Sequence, residues 1–134
     1  MRAGWHVTGV DILDQPNYRG HEFVRADVLE FLHPWQQRLD FGAIHASPPC
    51  QFATAYKRRP GHVRPSPNLI EPTRRLLEGS GLPWVIENIE LARPFLHDPM
   101  LLCGSMFDLD VQRHRLFETN WRSEERRVGK ECRL

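Results

Sequence analysis

The 134-residue chain has no long hydrophobic run, few cysteines and almost no surplus of charge of either sign. No stretch approaches the roughly 18 consecutive apolar residues of a membrane-crossing helix, so no span is expected. Residues 1–11 lack the apolar block of a signal peptide, and the chain reads as soluble and unexported. Only three cysteines occur, Cys50, Cys103 and Cys132. Their odd number, wide spacing and lack of a CxxC pair argue against a disulfide framework or a zinc knuckle and fit a reducing cytoplasm. No metal is expected. Lys and Arg number 18 against 17 Asp and Glu, a formal net charge of +1, and a field so weak neither demands a polyanionic partner nor excludes one. At this length the chain holds one domain at most, although a small α/β domain can bury a real core.

What is present is a series of short apolar runs alternating with helical patterns. Trp5-His6-Val7-Thr8-Gly9-Val10 is a β-rich run preceded by Gly4, a residue that commonly ends a helix in the left-handed conformation. Phe23-Val24-Arg25-Ala26 is a second brief strand. Asp27 can then cap a helix through Val28, Leu29, Phe31 and Leu32, which Pro34 interrupts. Phe41-Gly42-Ala43-Ile44-His45-Ala46 reads as a buried strand stopped by Pro48 and Pro49, neither of which can donate to a ladder. Residues 51–67 are basic and proline-rich, with Lys57, Arg58, Arg59, His62 and Arg64, and read as an exposed loop. A helix holding Leu69, Ile70, Leu76 and Leu77 follows and ends near Gly79-Ser80-Gly81, before a buried strand at Pro83-Trp84-Val85-Ile86.

This alternation predicts an α/β fold whose parallel sheet is covered on both faces and binds its ligand at the carboxyl ends of the strands. Asp11, Asp27, the Ser47-Pro48-Pro49-Cys50-Gln51 turn and Glu87-Asn88 each follow one of the four strands, so one crevice is expected to gather them. Residues 1–121 are read as one partial domain. Residues 122–134 are highly charged, poor in apolar content and without periodicity, as in a disordered tail. That segment also resembles the conceptual translation of a sequencing adapter, in which case Cys132 carries no meaning.

Cys50 is the candidate nucleophile, because a Pro-Pro-Cys-Gln turn at a strand end is stiff and accessible. Cys103, in Leu101-Leu102-Cys103-Gly104, reads instead as a small core hydrophobe. Glu87 closes an apolar strand and is the candidate acid, while Asn88 can fix the loop or contact the same pocket. In Val111-Gln112-Arg113-His114-Arg115-Leu116-Phe117-Glu118 the two arginines alternate, so an extended strand points both to one face. Such a guanidinium pair can hold a carbonyl, a phosphate or a carboxylate.

Ala46-Ser47-Pro48-Pro49-Cys50-Gln51 resembles the Pro-Cys-Gln nucleophile motif of the DNA cytosine-5 methyltransferases. Val85-Ile86-Glu87-Asn88-Ile89 is similar to their Glu-Asn-Val motif and Arg113-His114-Arg115 to their Arg-x-Arg motif, in family order. The likeness runs from Ala3 to Asn120 and is nearest to the compact bacteriophage members, particularly at Leu101-Leu102-Cys103-Gly104-Ser105-Met106-Phe107. It implies an incomplete Rossmann-like S-adenosyl-L-methionine-dependent methyltransferase sheet, truncated at both ends and without a target-recognition domain. By the same likeness Asp11 and Ile12 meet the cofactor ribose, Asp27 and Val28 its adenine, and Pro49 its methionine end. Two departures stand out: Val111 replaces the usual glutamine, and Asp11 is one methylene shorter than the usual glutamate.

The implied reaction needs a covalent step, because cytosine carbon 5 is weakly nucleophilic until a thiolate adds at carbon 6. Cys50 takes that role, Glu87 assists at ring nitrogen 3, and Arg113 and Arg115 complete the catalytic set. Double-stranded DNA is the implied partner, contacted by Gln51, Asn88, Lys57 and Arg58, although the basic loop reads equally as solvated. The expected protein is a monomer, cytoplasmic in a bacterial or phage-infected cell. The alternative is an inactive remnant with at most weak DNA binding.

Overall fold

The computed structural model describes residues 4–35, 40–55 and 67–121; the tail at 122–134 lies outside them. The protein is mixed α/β, with its strands in two separate sheets and its contacts gathered in two compact units, Met1–Leu39 and Asp40–Leu134. The single covered parallel sheet expected from the alternation is therefore replaced by a two-stranded and a four-stranded sheet. Among the described residues no helix is long and apolar enough to cross a membrane.

In the first unit, strands β1 (Thr8–Asp11) and β2 (Glu22–Arg25) lie parallel, Thr8 opposite Glu22 and Asp11 opposite Arg25. The expected strand from Trp5 starts later because Val7 uses its backbone differently. Its N–H donates to His21 Nδ1 at 3.0 Å, and its carbonyl accepts from the His21 N–H at 2.9 Å. Gly4 takes φ 73°, the left-handed conformation that glycine favours. The Tyr18 side chain presses onto Gly9 and Gly20, where a Cβ would come within 2.6 Å of its ring and 1.9 Å of its hydroxyl oxygen, respectively. Asp27 caps helix α1 (Val28–Trp35), its Oδ1 accepting from the Leu29 N–H at 2.9 Å. The helix includes Pro34 instead of stopping before it. In a last turn, proline removes a single backbone bond and so limits the helix without preventing its final residue.

In the second unit the sheet order is β3-β4-β6-β5. Strands β3 (Ile44–Ala46) and β4 (Trp84–Asn88) are parallel, with Ile44 opposite Trp84 and Ala46 opposite Ile86. Strand β6 (His114–Thr119) runs antiparallel both to β4 and to β5 (Met100–Cys103). Along β4 the side chains of Trp84, Ile86 and Asn88 are buried, while Val85 and Glu87 alternate onto the other, half-buried face. Helix α2 (Gln51–Ala55) occupies the start of what the composition suggests is loop. Helix α3 (Ile70–Gly79) opens with its Ile70 N–H on the Asn68 side chain at 3.0 Å and is followed by Gly81 at φ 67°. It buries Ile70, Thr73, Arg74 and Leu77, an i, i+3, i+4, i+7 stripe facing the core. Ile70, Leu77, Ile86 and Leu116 are wholly buried, and Cys103 is 1% exposed, the packed thiol that its apolar neighbours imply.

An arginine inside that stripe requires a buried acid, and β6 supplies it. Arg74 grips Glu118 through two bonds of 2.6 and 2.8 Å, both side chains being 3% exposed. Arg74 also donates to the Phe95 carbonyl at 2.7 Å and pairs with Glu71, while Glu118 accepts from the His97 N–H at 2.8 Å. Glu118 above all raises the pKa of Arg74 from its ordinary value, against the opposing pull of burial. Removing one partner strands the other charge, so we predict that Glu118→Ala lowers stability by about 3–5 kcal/mol. A fall well below that range in urea unfolding of the variant would show the pair to be dispensable.

Candidate active site

The site grows from the turn after β3. Pro48 is buried and Pro49 exposed, and with no amide hydrogen on either, the chain leaves the ladder at Ala46. Cys50, half-buried with a free thiol, stands where the turn becomes α2. Its carbonyl accepts from the Ala53 and Thr54 N–H groups at 3.0 and 3.2 Å. The thiol is therefore carried on a residue whose carbonyl is held by the first turn of α2.

Because β3 and β4 are adjacent and parallel, their carboxyl ends coincide, and Asn88 joins them. Its Nδ2 donates to the Pro48 carbonyl at 2.9 Å, and its Oδ1 accepts from the Ile89 N–H at 3.0 Å. At 2% exposure Asn88 fixes the loop, the first of the two roles its position allows. One residue earlier, Glu87 lies on the opposite face of β4, paired through Oε1 with Arg115 Nε at 2.8 Å. Both side chains keep partial access to solvent, at 21% and 26% exposure. The nucleophile candidate and the acid candidate thus leave neighbouring strands at one end of one sheet.

Arg113 departs from expectation. It does not share a strand face with Arg115, since β6 begins at His114 and Arg113 is exposed ahead of it. The reason lies in the preceding loop. Gly104 approaches Val111 so closely that a Cβ there would sit 2.4 Å from the Val111 carbonyl oxygen, and Asp108 turns the chain at φ 57°. That closure delays the ladder. Arg115 alone of the two meets Glu87, and its Nη1 donates to the His114 carbonyl at 2.7 Å. Beside this pair, His114 Nδ1 lies 3.0 Å from Glu90 Oε2. The Glu90 hydrogen bond raises the His114 pKa above its ordinary 6.5, partial burial opposing it and the Cys103 side chain adding to the rise.

The remaining candidates are spread more widely. Gln51 opens α2 on the exposed surface, whereas Lys57 and Arg58 lie outside the described residues. Asp11, Ile12, Asp27 and Val28 belong to the first unit. There a pocket of about 360 Å³ is lined by Gly9, Val10, Asp11, Gln15, Asn17, Tyr18 and Phe23. Asp11 accepts from the Leu13 N–H at 2.8 Å and from Gln15 Nε2 at 3.2 Å, so its carboxylate also orders the turn that follows. Ile12 is exposed and offers its carbonyl to Arg25. Asp27 is the α1 cap, and Val28 is half-buried. No cluster of three or more metal-ligating side chains occurs among the described residues.

Sequence reasoning missed Arg74, Glu118, Glu90 and the role of His114. For Arg74 a signal existed: an arginine four residues after Ile70 sits in the apolar stripe and needs a partner. No family model matches the chain, and neither does any curated protein or solved structure.

Two outcomes are expected from this geometry. Asn88→Ala, which leaves the Pro48 carbonyl without its donor, should cost about 1–3 kcal/mol in thermal or urea unfolding; an unchanged midpoint would show the tie to be idle. His114 should titrate above 6.5 in NMR and fall back in Glu90→Gln. A raised folded pKa means that the Glu90–His114 pair stabilises fully below the unfolded value and loses its effect as pH rises through the folded one. A Glu90→Gln variant with an unmoved His114 titration would dismiss the pair.

Proposed function

We propose that the chain is the catalytic part of a DNA cytosine-5 methyltransferase, transferring a methyl group from S-adenosyl-L-methionine to cytosine in double-stranded DNA. The observation that carries the reading is the Asn88–Pro48 hydrogen bond, which holds a cysteine turn against the strand bearing Glu87. Under this reading the mixed α/β architecture is of the Rossmann-like methyltransferase kind. The protein acts as a cytoplasmic monomer.

The target carbon is inaccessible within stacked DNA, so the cytosine must swing out of the duplex to meet the turn. The Cys50 thiolate adds to carbon 6 and makes carbon 5 nucleophilic. Glu87 assists at ring nitrogen 3 as charge develops there, and Arg115 keeps its carboxyl group in place. Loss of the carbon-5 proton then expels Cys50 and restores the aromatic ring. Arg113, exposed ahead of β6, suits a phosphate or the base carbonyl, and Gln51, Lys57 and Arg58 the DNA backbone.

The first-unit pocket suits a nucleoside: the Asp11 carboxylate accepts from hydroxyls, Gln15 and Asn17 offer amides, and Tyr18 and Phe23 give aromatic surface. Asp11 and Ile12 would hold the ribose, and Asp27 and Val28 the adenine. When bound, S-adenosyl-L-methionine supplies an electrophilic methyl group.

A second reading, an inactive remnant that binds DNA weakly at most, is favoured by one observation. The first unit rests on a two-stranded sheet, and Leu32 is its one buried hydrophobic among the described residues. Such small sheets are marginal alone.

DNA containing 5-fluorocytosine separates the two, since fluorine cannot leave as the proton does and the adduct persists. With S-adenosyl-L-methionine present, the chain should form a denaturant-resistant adduct that Cys50→Ser abolishes. Glu87→Gln should slow it by about a hundredfold to ten-thousandfold. An adduct surviving in Cys50→Ser would overturn the assignment, and no adduct at all would favour the inactive remnant.

A further inference from the structure

The turn that carries Cys50 is anchored twice. Ahead of the thiol, Asn88 holds Pro48. Behind it, Phe52 in α2 meets Phe95 edge to face, with ring centroids 5.1 Å apart. Phe95 closes the tight helical turn Glu90–Phe95, and its own position is fixed from below. Arg74 donates to its carbonyl at 2.7 Å, while Glu118 accepts from the His97 N–H, two residues on, at 2.8 Å. The buried pair therefore grips both ends of the segment 95–97 and presents the Phe95 ring to Phe52.

We infer that Arg74 and Glu118 are positioning residues for the Cys50 turn, acting through Phe95 and Phe52. As a statement about chemistry this rests on the reading of Cys50 as the nucleophile. Strand β6 then serves as the common reference for both reacting groups. Arg115 sets the Glu87 carboxyl group from one face of the strand, and Glu118, three residues later, sets the thiol turn from the other. An edge-to-face ring pair is the right final link, because its energy depends on orientation as well as contact. A small tilt of Phe95 passes directly to the first turn of α2, whose amides hold the Cys50 carbonyl.

The test uses the full chain with Phe95→Leu, Phe95→Tyr and Arg74→Lys. Phe95 is 42% exposed, so its replacement leaves the core intact even if Arg74→Lys fails to fold. Two readouts are taken: amide hydrogen exchange at Ala53 and Thr54, and the rate of the Cys50 adduct with 5-fluorocytosine DNA beside the DNA dissociation constant. Phe95→Leu should speed exchange at those two amides while exchange in α3 stays unchanged. It should also slow the adduct by roughly tenfold to a hundredfold with DNA affinity unaltered. Phe95→Tyr, which keeps the ring edge, should restore both, and Arg74→Lys, where folded, should resemble Phe95→Leu.

Unchanged exchange at Ala53 and Thr54 in Phe95→Leu overturns the inference, as does a loss that Phe95→Tyr fails to restore. If exchange responds as expected but the unmodified chain forms no adduct, the anchoring is upheld and the methyl-transfer reading is what fails.

Discussion

The amide of Asn88 donates to the carbonyl of Pro48 in a place that water does not reach, and the candidate site is organised around that bond. A proline cannot use its own nitrogen to rejoin a sheet, so a turn built on Pro48 and Pro49 would swing away from its neighbour strand without an outside donor. Asn88 is that donor. Its removal would leave a buried carbonyl unsatisfied, which costs more than the bond itself contributes. The asparagine thereby makes the register of β3 against β4 determine where Cys50 lies relative to Glu87.

Three charged pairs in the second unit differ sharply in what they can do. Arg74 and Glu118 are sealed from solvent, carry two mutual bonds and have further partners, as a buried pair must if desolvation is to be offset. Arg115 and Glu87 remain partly wet and share fewer bonds, so a substrate can engage their side chains without a large desolvation cost. Glu90 and His114 are more exposed still, and their attraction varies with pH. The gradient runs from the helix-covered face of β6 toward solvent. It separates a pair that sets geometry from pairs that can respond to a ligand.

The sequence read most clearly where one local rule decides the outcome. The helix α3 with Ile70 and Leu77 buried, the Asp27 cap, the two prolines after β3 and the burial of Cys103 among leucines are each legible from residue type and spacing, whereas Leu69 and Leu76 stay half-buried and Thr73 and Arg74 complete the buried stripe. It read poorly where partners far along the chain decide. Met100–Cys103 lacks the polar alternation of a half-buried strand, so β5 and its antiparallel pairing with β6 had no local signature. Alternation alone puts Arg113 on one face with Arg115, but the contact of Gly104 with Val111 closes the loop first and places Arg113 outside the strand. The short α2 was hidden because a basic, proline-rich composition describes the average of a segment and not its first turn. Two sheets in place of one could not be foreseen from alternation alone, which fixes strand order in the chain and not strand neighbours in space.

The two units are built on different balances, and the balance bears on ligand binding. The second unit buries a run of aliphatic side chains, each worth about 1.5–3 kcal/mol when fully removed from water. The first leans on polar links: His21 to Val7, Asp11 to Leu13 and Gln15, Asp27 to Leu29. Such bonds contribute about 1 kcal/mol apiece, and the groups that make them also reach solvent. A unit of that kind gains proportionately more from a bound molecule, because binding adds RT ln(1 + [L]/Kd) whatever the starting stability. Asp11 sits at the join of these effects, ordering its own turn while lining the pocket. A hydroxyl-bearing ligand that displaced the 3.2 Å bond from Gln15 would keep the 2.8 Å bond from Leu13, exchanging a weak internal partner for its own contact without undoing the turn.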